Sequence, residues 1–171
     1  MVKKAMHFAK KAHEGQLRKF TNEPYIVHPI AVAGIVYSVT SNTDMLCAAV
    51  LHDVVEDTDC TIEQIEKSFG STIASLVADL TDVSKPSDGN RKVRKHLDLL
   101  HNGQGSAQAK TIKLADLIDN TKSIVSFDPN FARKYMDEKQ ALLKVLKEGD
   151  SILLAIAQGL VDRYYETRTV K

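Results

Sequence analysis

Apolar residues recur along most of the chain at every third or fourth position, the spacing of an amphipathic α-helix, whereas the alternation of a half-buried strand is hard to find. The first such stripe consists of Ala5, Phe8, Ala9 and Ala12, with lysines on the opposite side. Later stripes predict helices from Pro29 through Val36, Thr43 through Val55, Thr61 to Gly70, Ser71 through Leu80, Arg91 to His101, Ser106 through Ile118, Asp128 towards Leu146, and over Ser151–Tyr165. The pattern therefore predicts an all-α fold of about eight or nine helices, in a single domain over residues 1–171.

The predicted helix ends carry residues that are typical of helix caps. Thr61 followed by Gln64 makes a capping box, in which each side chain bonds the backbone N–H of the other residue. Thr43 is predicted to cap the helix after it, and Pro29 suits the first turn of its helix because an N–H has no partner there. The segment Ser84–Asn90 is rich in turn-forming residues and is the one clear loop.

Composition and charge exclude several classes of function. Hydrophobic residues make up 43% and charged residues 26% of the 171-residue chain, the balance of an ordinary globular protein. The net charge of +1 makes no electrostatic case for binding nucleic acid or an anionic membrane surface. The most apolar stretch, Ile152–Val161, is much shorter than the roughly 20 apolar residues that a membrane helix needs. Because no signal-like apolar segment follows the N-terminus, these features predict a cytoplasmic protein.

The first candidate for chemistry is the pair His52-Asp53, which follows an apolar run and precedes Glu56-Asp57. Adjacent imidazole and carboxylate groups can bind one cation. If the helix continues for another turn, Glu56 lies above His52 and Asp57 above Asp53, because residues four apart share a helix face. Ionisable groups would then crowd a single site. The alternative is a helix end that merely becomes polar where it meets water.

Two distant segments carry further candidate groups. His28 precedes Pro29 at a helix start, where its side chain can project from a fixed backbone. Asp116 and Asn120 share one face of another predicted helix, and apolar residues flank Asp116 in the sequence. Burial of an unpaired carboxylate is costly, so Asp116 needs a partner. A cation and the neighbouring Lys113 are both open as that partner.

Together, His28, His52, Asp53 and Asp116 would offer two imidazoles and two carboxylates, and we refer to these residues as the His/Asp cluster. Such a set suits a borderline divalent cation such as Mn²⁺, Fe²⁺ or Zn²⁺ better than Ca²⁺, which prefers an all-oxygen shell. A cation with open positions can bind a substrate oxygen and lower the pKa of a water molecule. The spacing of the segments does not by itself establish that they meet in the fold.

Several motifs of the chain occur in an order that resembles one protein family. They are Ala12–Lys19, Pro24–Pro29, Ala48–Thr58, Phe69-Gly70, Leu80–Asp82, and Lys113–Asp116 with Asn120. Together they resemble the HD domain of the RelA/SpoT family, in particular its small, metazoan SpoT-homologue type, over residues 3–125. The resemblance implies a helical HD-domain bundle and hydrolysis of the 3′-pyrophosphate of (p)ppGpp to GDP or GTP and pyrophosphate.

The resemblance also implies roles for individual residues. It makes the His/Asp cluster the set of metal ligands, with Mn²⁺ as the usual metal of the family. Glu56 and Asp57 match a catalytic pair that orients or deprotonates the attacking water. Arg18 and Lys19 match basic residues that contact the nucleotide, and Asn120 matches a substrate-contacting asparagine.

Two positions depart from the family pattern and leave the nucleotide open. Leu117 stands where the family usually has a basic residue, and Asp119 stands where it usually has an aromatic residue or His. Both changes predict weaker discrimination between bases. One alternative is an HD hydrolase for another nucleotide: ppApp, NADPH, a deoxynucleotide or a 5′-monophosphate. A second alternative is a non-catalytic HD module that binds a nucleotide.

The basic cluster Arg91–Lys95 follows the predicted loop, and its function also stays open. It could reach the far phosphates of a highly anionic nucleotide, or it could be a solvated helix face. In a nearly neutral protein the patch is too short to indicate DNA or RNA binding. A chain of 171 residues also has no room for a synthetase domain, so we expect a hydrolase only.

Overall fold

The structure, a computed structural model, describes residues 1–169 and folds them into ten α-helices and one short 3₁₀-helix. The α-helices are α1 (Val2–Ala12), α2 (Val27–Tyr37), α3 (Thr43–Leu51), α4 (Val54–Asp57), α5 (Ile62–Phe69), α6 (Ser71–Leu80), α7 (Arg91–Gln104), α8 (Ala107–Phe127), α9 (Pro129–Leu143) and α10 (Ser151–Thr169). The 3₁₀-helix is Pro86–Asp88, and the β pairing in this part of the chain is one isolated bridge between Leu17 and Pro24. The predicted all-α class is confirmed. Within residues 1–169, every helix is too short or too polar to reach across a bilayer.

The single helix predicted over Thr43–Val55 is interrupted in the structure. α3 ends at Leu51, α4 begins at Val54, and His52 and Asp53 form the link between them. Asp53 adopts φ −96° and ψ −5°, a sparsely allowed conformation that is frequent in active sites. This interruption accounts for the helix beyond the predicted number.

The helix caps lie largely where the sequence predicts them. Thr61 and Gln64 form the expected capping box, with the Gln64 N–H donating to Thr61 Oγ1 at 3.4 Å and the Thr61 N–H donating to Gln64 Oε1 at 3.0 Å. The prediction of Thr43 as a cap is wrong by one residue. Asn42 takes the place, because its Oδ1 accepts from two backbone N–H groups at 2.9 and 3.0 Å and asparagine ranks above threonine as a cap.

The centre of the fold is formed by α3 and α8. α3 packs against α1, α2, α6 and α8, and α8 also contacts α2, α6, α9 and α10. Both helices are buried on most sides, as the almost uninterrupted apolar sequence of α3 requires. Each fully buried large side chain, such as Leu51 or Ile112, contributes about 1.5–3 kcal/mol to folding. Polar groups at the end of α3 or in the middle of α8 are therefore held in a close-packed setting.

Candidate active site

The His/Asp cluster forms where the beginning of α2, the end of α3 and the middle of α8 meet. The Nε2 atoms of His52 and His28 lie 3.0 and 3.5 Å from Asp53 Oδ2. The same two nitrogens lie 3.8 and 3.2 Å from Asp116 Oδ1. Both histidines are buried, with 2% of each residue exposed. The structure thus brings together three segments that are far apart in the sequence.

The cluster fits a divalent cation. One donor atom each from His28, His52 and Asp53 lies within 4.8 Å of the others. His52 Nδ1 donates to the Ala49 carbonyl oxygen at 2.9 Å, so Nε2 carries a lone pair when the ring is neutral. This Nε2 is buried and makes no well-directed hydrogen bond with the described residues, although carboxylate oxygens of Asp53 and Asp116 lie 3.0 and 3.8 Å away. Because a buried polar atom without a partner is costly, a cation bound between this nitrogen and the carboxylates would stabilise the cluster.

The interruption after α3 explains how His52 is oriented. A helix end leaves its last four carbonyl groups without partners inside the helix, and Ala49 carries one of them in α3. This carbonyl accepts the His52 Nδ1–H, and Nε2 then lies beside Asp53. The break in the helix therefore leaves His52 Nε2 facing the carboxylates of Asp53 and Asp116.

Further side chains hold the two carboxylates of the cluster. The Tyr25 hydroxyl donates to Asp53 Oδ2 at 2.6 Å. Asn120 Nδ2 donates to Asp116 Oδ1 at 2.6 Å, and Lys113 Nζ lies 3.3 Å from Asp116 Oδ2. The geometry is compatible with both partners considered for Asp116, which were a cation and Lys113. Lys113 pairs with Oδ2, whereas Oδ1 faces the imidazoles and can bind a cation beside them. The role of Tyr25 was not predicted, although the residue lies within one of the family motifs.

Charges within the cluster stabilise each other against the cost of burial. Burial lowers the pKa of His52, but the carboxylates of Asp53 and Asp116 outweigh this effect and raise the pKa to about 10. Burial likewise raises the pKa of Asp53, but His52 outweighs it and lowers the pKa to about 2. Without a cation, a protonated imidazole thus holds the carboxylates together. A cation bound by the cluster would take the place of that proton, so we expect metal binding to release protons.

Asp119 is a second residue whose role was not predicted. Its Oδ2 lies 2.8 Å from His28 Nδ1 and 3.8 Å from Arg18 Nη2. In the sequence it is an anion gained near the pocket, whereas in the structure its charge faces an imidazole and a guanidinium. The sequence spacing could have indicated that Asp119 lies near the cluster. Asp119 follows Asp116 by three residues, so both lie on the same side of α8.

Of the three residues predicted to contact the nucleotide, Arg18 and Asn120 lie together, whereas Lys19 lies apart from them over Phe20. Arg18 and Asn120 contact each other, since Arg18 Nη1 donates to Asn120 Oδ1 at 3.2 Å and Nη2 donates to Ser123 Oγ at 3.4 Å. Lys19 is exposed, and its ammonium group lies 4.9 Å from the centre of the Phe20 ring. None of the described contacts joins Lys19 to the His/Asp cluster. The nucleotide contacts of all three predicted residues stay predictions.

Glu56 and Asp57 lie in α4, and the side chain of each accepts a hydrogen bond from a neighbouring segment. The Asp82 backbone N–H donates to Glu56 Oε2 at 3.3 Å, and Gln16 Nε2 donates to Asp57 Oδ2 at 3.1 Å. Glu56 is exposed to an open cavity, although protein atoms surround much of its side chain. This partial burial, together with the Asp82 carboxylate, raises the pKa of Glu56 to about 7. A carboxyl group with such a pKa can accept a proton efficiently near neutral pH.

The cluster and α4 open onto one cavity of about 910 Å³, within the roughly 300–1,000 Å³ that is usual for small-molecule sites. Its lining includes Asp53, Glu56, Asp57, Asp116 and Asn120, together with Arg91, Lys92, Lys95, His96 and Lys134. Arg91 pairs with Glu138 at 2.7 Å, and Lys95 bonds Asp82 at 2.6 Å. The basic segment Arg91–Lys95 thus contributes to the cavity wall, although two of its cations already have carboxylate partners.

The fold and the site together define a class of protein. An all-α bundle holds a His-Asp pair, a second histidine and a second aspartate beside one cavity. This is the arrangement of an HD domain. The family model described as HD domain matches residues 5–146, which include the whole His/Asp cluster.

Known proteins with similar chains narrow the class further. The chain is 34% identical to the guanosine-3′,5′-bis(diphosphate) 3′-pyrophosphohydrolase MESH1 of Xenopus tropicalis, over 96% of this chain and 93% of that protein. The solved structure of a metazoan ortholog of SpoT that hydrolyses ppGpp superposes with a TM-score of 0.85 at 30% identity, over 95% of this chain and 94% of that one. The chain is also 34% identical to a guanosine-3′,5′-bis(diphosphate) 3′-pyrophosphohydrolase of Aquifex aeolicus over 80% of its own length, but it spans only 20% of that longer protein. This chain belongs to the HD domain family and, within it, to the RelA/SpoT group.

Proposed function

We propose that this chain is a metal-dependent hydrolase of the 3′-pyrophosphate of guanosine alarmones, which converts (p)ppGpp to GDP or GTP and pyrophosphate. The observation that carries the proposal is the position of Glu56 and the two carboxylates of the His/Asp cluster on one nucleotide-sized cavity. The relatives support it, because MESH1 of Xenopus tropicalis is named for this activity and aligns along nearly its whole length. The superposed metazoan ortholog of SpoT also hydrolyses ppGpp.

Each group has a part in one hydrolytic step. The His/Asp cluster would hold the cation, which would supply positive charge to the pyrophosphate oxygens and lower the pKa of a water molecule. Glu56 orients the attacking water and accepts its proton, and Asp57 assists in the orientation. The water oxygen bonds to the phosphorus atom on the ribose 3′ oxygen, and the bond between that phosphorus and the 3′ oxygen breaks. The 3′ oxygen takes up a proton from solvent and Glu56 returns its proton to solvent, so the products are GDP or GTP and pyrophosphate.

Basic and amide groups around the site suit a nucleotide. Arg18 and Lys19 supply cations for the phosphates, and the planar Arg18 guanidinium can also stack on a purine face. Asn120 lies beside Arg18 and offers an amide to the substrate. The basic segment Arg91–Lys95 adds positive charge to the cavity wall.

The proposed catalytic unit is one cytoplasmic domain over residues 1–171. Helix α10 lies beyond residues 5–146, which the family model matches. It packs against α8 and α9, and this packing supports a single domain. The last two residues of this unit, 170 and 171, lie outside the described part of the chain. The proposed partner is a small nucleotide, since a net charge of +1 makes no case for nucleic acid or a membrane surface.

A panel of nucleotides tests the substrate. We expect ppGpp to be cleaved to GDP and pyrophosphate, without release of single phosphate. We expect ppApp to compete within roughly 1–3 kcal/mol of transition-state binding, or about 10–200-fold in kcat/KM, because Leu117 offers no hydrogen bond and Asp119 is engaged by His28 and Arg18. The measurement is kcat/KM for ppGpp, ppApp, NADPH, deoxynucleotides and 5′-monophosphates. A preference for NADPH or a 5′-monophosphate over both 3′-pyrophosphates would refute the alarmone assignment but not the metal hydrolase.

Mn²⁺ is the proposed working metal. Two imidazoles and two carboxylates make a mixed nitrogen and oxygen set, which suits borderline divalent metals better than Ca²⁺. Treatment with EDTA is therefore expected to abolish hydrolysis, and Mn²⁺ is expected to restore it better than Mg²⁺, Zn²⁺ or Ca²⁺. The rate with each metal is measured beside the metal content from elemental analysis. Full turnover by protein without detectable metal would rule this mechanism out.

A further inference from the structure

Asp119 contacts both parts of the site, the His/Asp cluster and the segment that carries Arg18. We propose that Asp119 is a positioning residue, whose Oδ2 fixes the His28 ring for the cation and also holds Arg18 against α8. Metal binding and nucleotide binding then depend on one carboxylate. This inference rests on the proposed function, which supplies the metal and the nucleotide.

The start of α2 explains why His28 needs an acceptor from another helix. His28 lies in the first turn of α2, where its own N–H already donates to the Tyr25 carbonyl oxygen at 3.0 Å and the carbonyl groups of the turn are used by the helix. His52 has the opposite situation, because it lies at a helix end and uses the Ala49 carbonyl. The acceptor for the His28 Nδ1–H therefore comes from α8, where Asp119 Oδ2 provides it at 2.8 Å. With its proton on Nδ1, the ring has a lone pair on Nε2. This nitrogen faces the two carboxylates of the cluster and can bind a cation together with them.

Burial of His28 makes the loss of this hydrogen bond costly. His28 is 2% exposed, so water cannot readily replace a lost acceptor. The other neutral tautomer would direct an N–H at the cation instead of a lone pair. A charged acceptor also makes the imidazole a more basic ligand, and loss of such a partner behind a metal ligand typically lowers metal affinity about 10–100-fold.

The second contact of Asp119 is with Arg18, which lies in the loop between α1 and α2. Arg18 lies against α8 through Asn120 Oδ1 at 3.2 Å, Ser123 Oγ at 3.4 Å and Asp119 Oδ2 at 3.8 Å. The first two acceptors are neutral, whereas Asp119 carries a negative charge. The Arg18 side chain is 15% exposed, so salt screens this ion pair less than one in open solvent. Loss of the charge therefore loosens Arg18 and weakens the binding of ppGpp.

The test compares Asp119→Ala and Asp119→Asn with the wild-type protein. Calorimetric titration of metal-free protein with Mn²⁺ is expected to give a Kd about 10–100-fold higher for Asp119→Ala. At saturating Mn²⁺, the KM for ppGpp is expected to rise several-fold in both variants, because both lose the charge that faces Arg18. Asp119→Asn keeps an acceptor for His28, so its Kd for Mn²⁺ is expected to lie between those of the wild type and Asp119→Ala.

Lys122→Ala is the matched control. Lys122 Nζ is solvent-exposed and lies 3.6 Å from the other Asp119 oxygen, Oδ1, so its removal should change neither Kd nor KM. The inference is overturned if Asp119→Ala unfolds thermally like the wild type and yet keeps the wild-type Kd for Mn²⁺ or the wild-type KM. If Asp119→Ala does not fold, an unchanged KM in Asp119→Asn overturns it. A wild-type protein that binds Mn²⁺ but does not hydrolyse ppGpp refutes the proposed function, whereas the Mn²⁺ titrations still decide the role of Asp119.

Discussion

Replacing a ligand of the His/Asp cluster is expected to remove the metal and, with it, measurable hydrolysis of ppGpp. Asp53→Asn is the sharpest variant, because Asp53 Oδ2 lies 3.0 Å from His52 Nε2, 3.5 Å from His28 Nε2 and 2.6 Å from the Tyr25 hydroxyl. An amide offers only a neutral oxygen or two N–H donors beside these imidazoles. The loss of metal affinity should exceed the roughly 10–100-fold that follows loss of a partner behind a ligand. His52→Ala is expected to behave in the same way.

Metal content from elemental analysis and the rate of hydrolysis measure this prediction together. Asp59→Asn is a suitable control, because it makes the same chemical change at an exposed position close by in the sequence and should keep both the metal and the rate. Helical circular dichroism checks that each variant is folded. Asp53→Asn protein that holds a full equivalent of metal and turns over normally would refute the proposed ligand set.

Glu56→Gln is expected to separate catalysis from metal binding. The variant should keep its metal, because Glu56 is not part of the His/Asp cluster. Its kcat should fall about 10²–10⁴-fold, the usual contribution of a group that transfers a proton in the reaction. A glutamine can still accept the Asp82 backbone N–H, which bonds Glu56 at 3.3 Å, so the loss of rate reports the missing carboxylate rather than a displaced loop.

The rate for this variant is measured at saturating ppGpp, with metal content determined on the same sample. Glu66→Gln makes the same chemical change at an exposed position of α5 and should leave kcat unchanged. Near-normal turnover of Glu56→Gln would remove Glu56 from the mechanism. Loss of metal from Glu56→Gln would instead make Glu56 a ligand.

Most helices could be predicted because their causes are local. The capping box of Thr61 and Gln64 depends on groups three residues apart, and it is present in the structure as expected. The shift of the α3 cap from Thr43 to Asn42 reflects two adjacent residues that both suit the position. The break at Asp53 was not predicted, because an apolar run followed by polar residues is compatible with a continuing helix.

The site could be predicted only in part. Residue types and family motifs pointed to the His/Asp cluster, and the structure brings its members together. The same reasoning treated Asp119 as a disturbance, whereas it lies 2.8 Å from a ring nitrogen of His28. Spacing along one helix shows which side a residue takes, but it does not show which other segment lies opposite. The partner of Asp119 comes from α2, and its identity depends on how α2 packs against α8.

By itself, the sequence determined the all-α class, most helix starts and the set of side chains available to a metal. These properties depend on residue type and on contacts within a turn or two of the chain. The tertiary structure alone decided that His28 contacts Asp119, that Arg18 contacts Asn120, and that Lys19 lies over Phe20. Such pairs are set by the packing of α2, α3 and α8 around a shared core, because no local preference of the chain specifies a contact between distant segments.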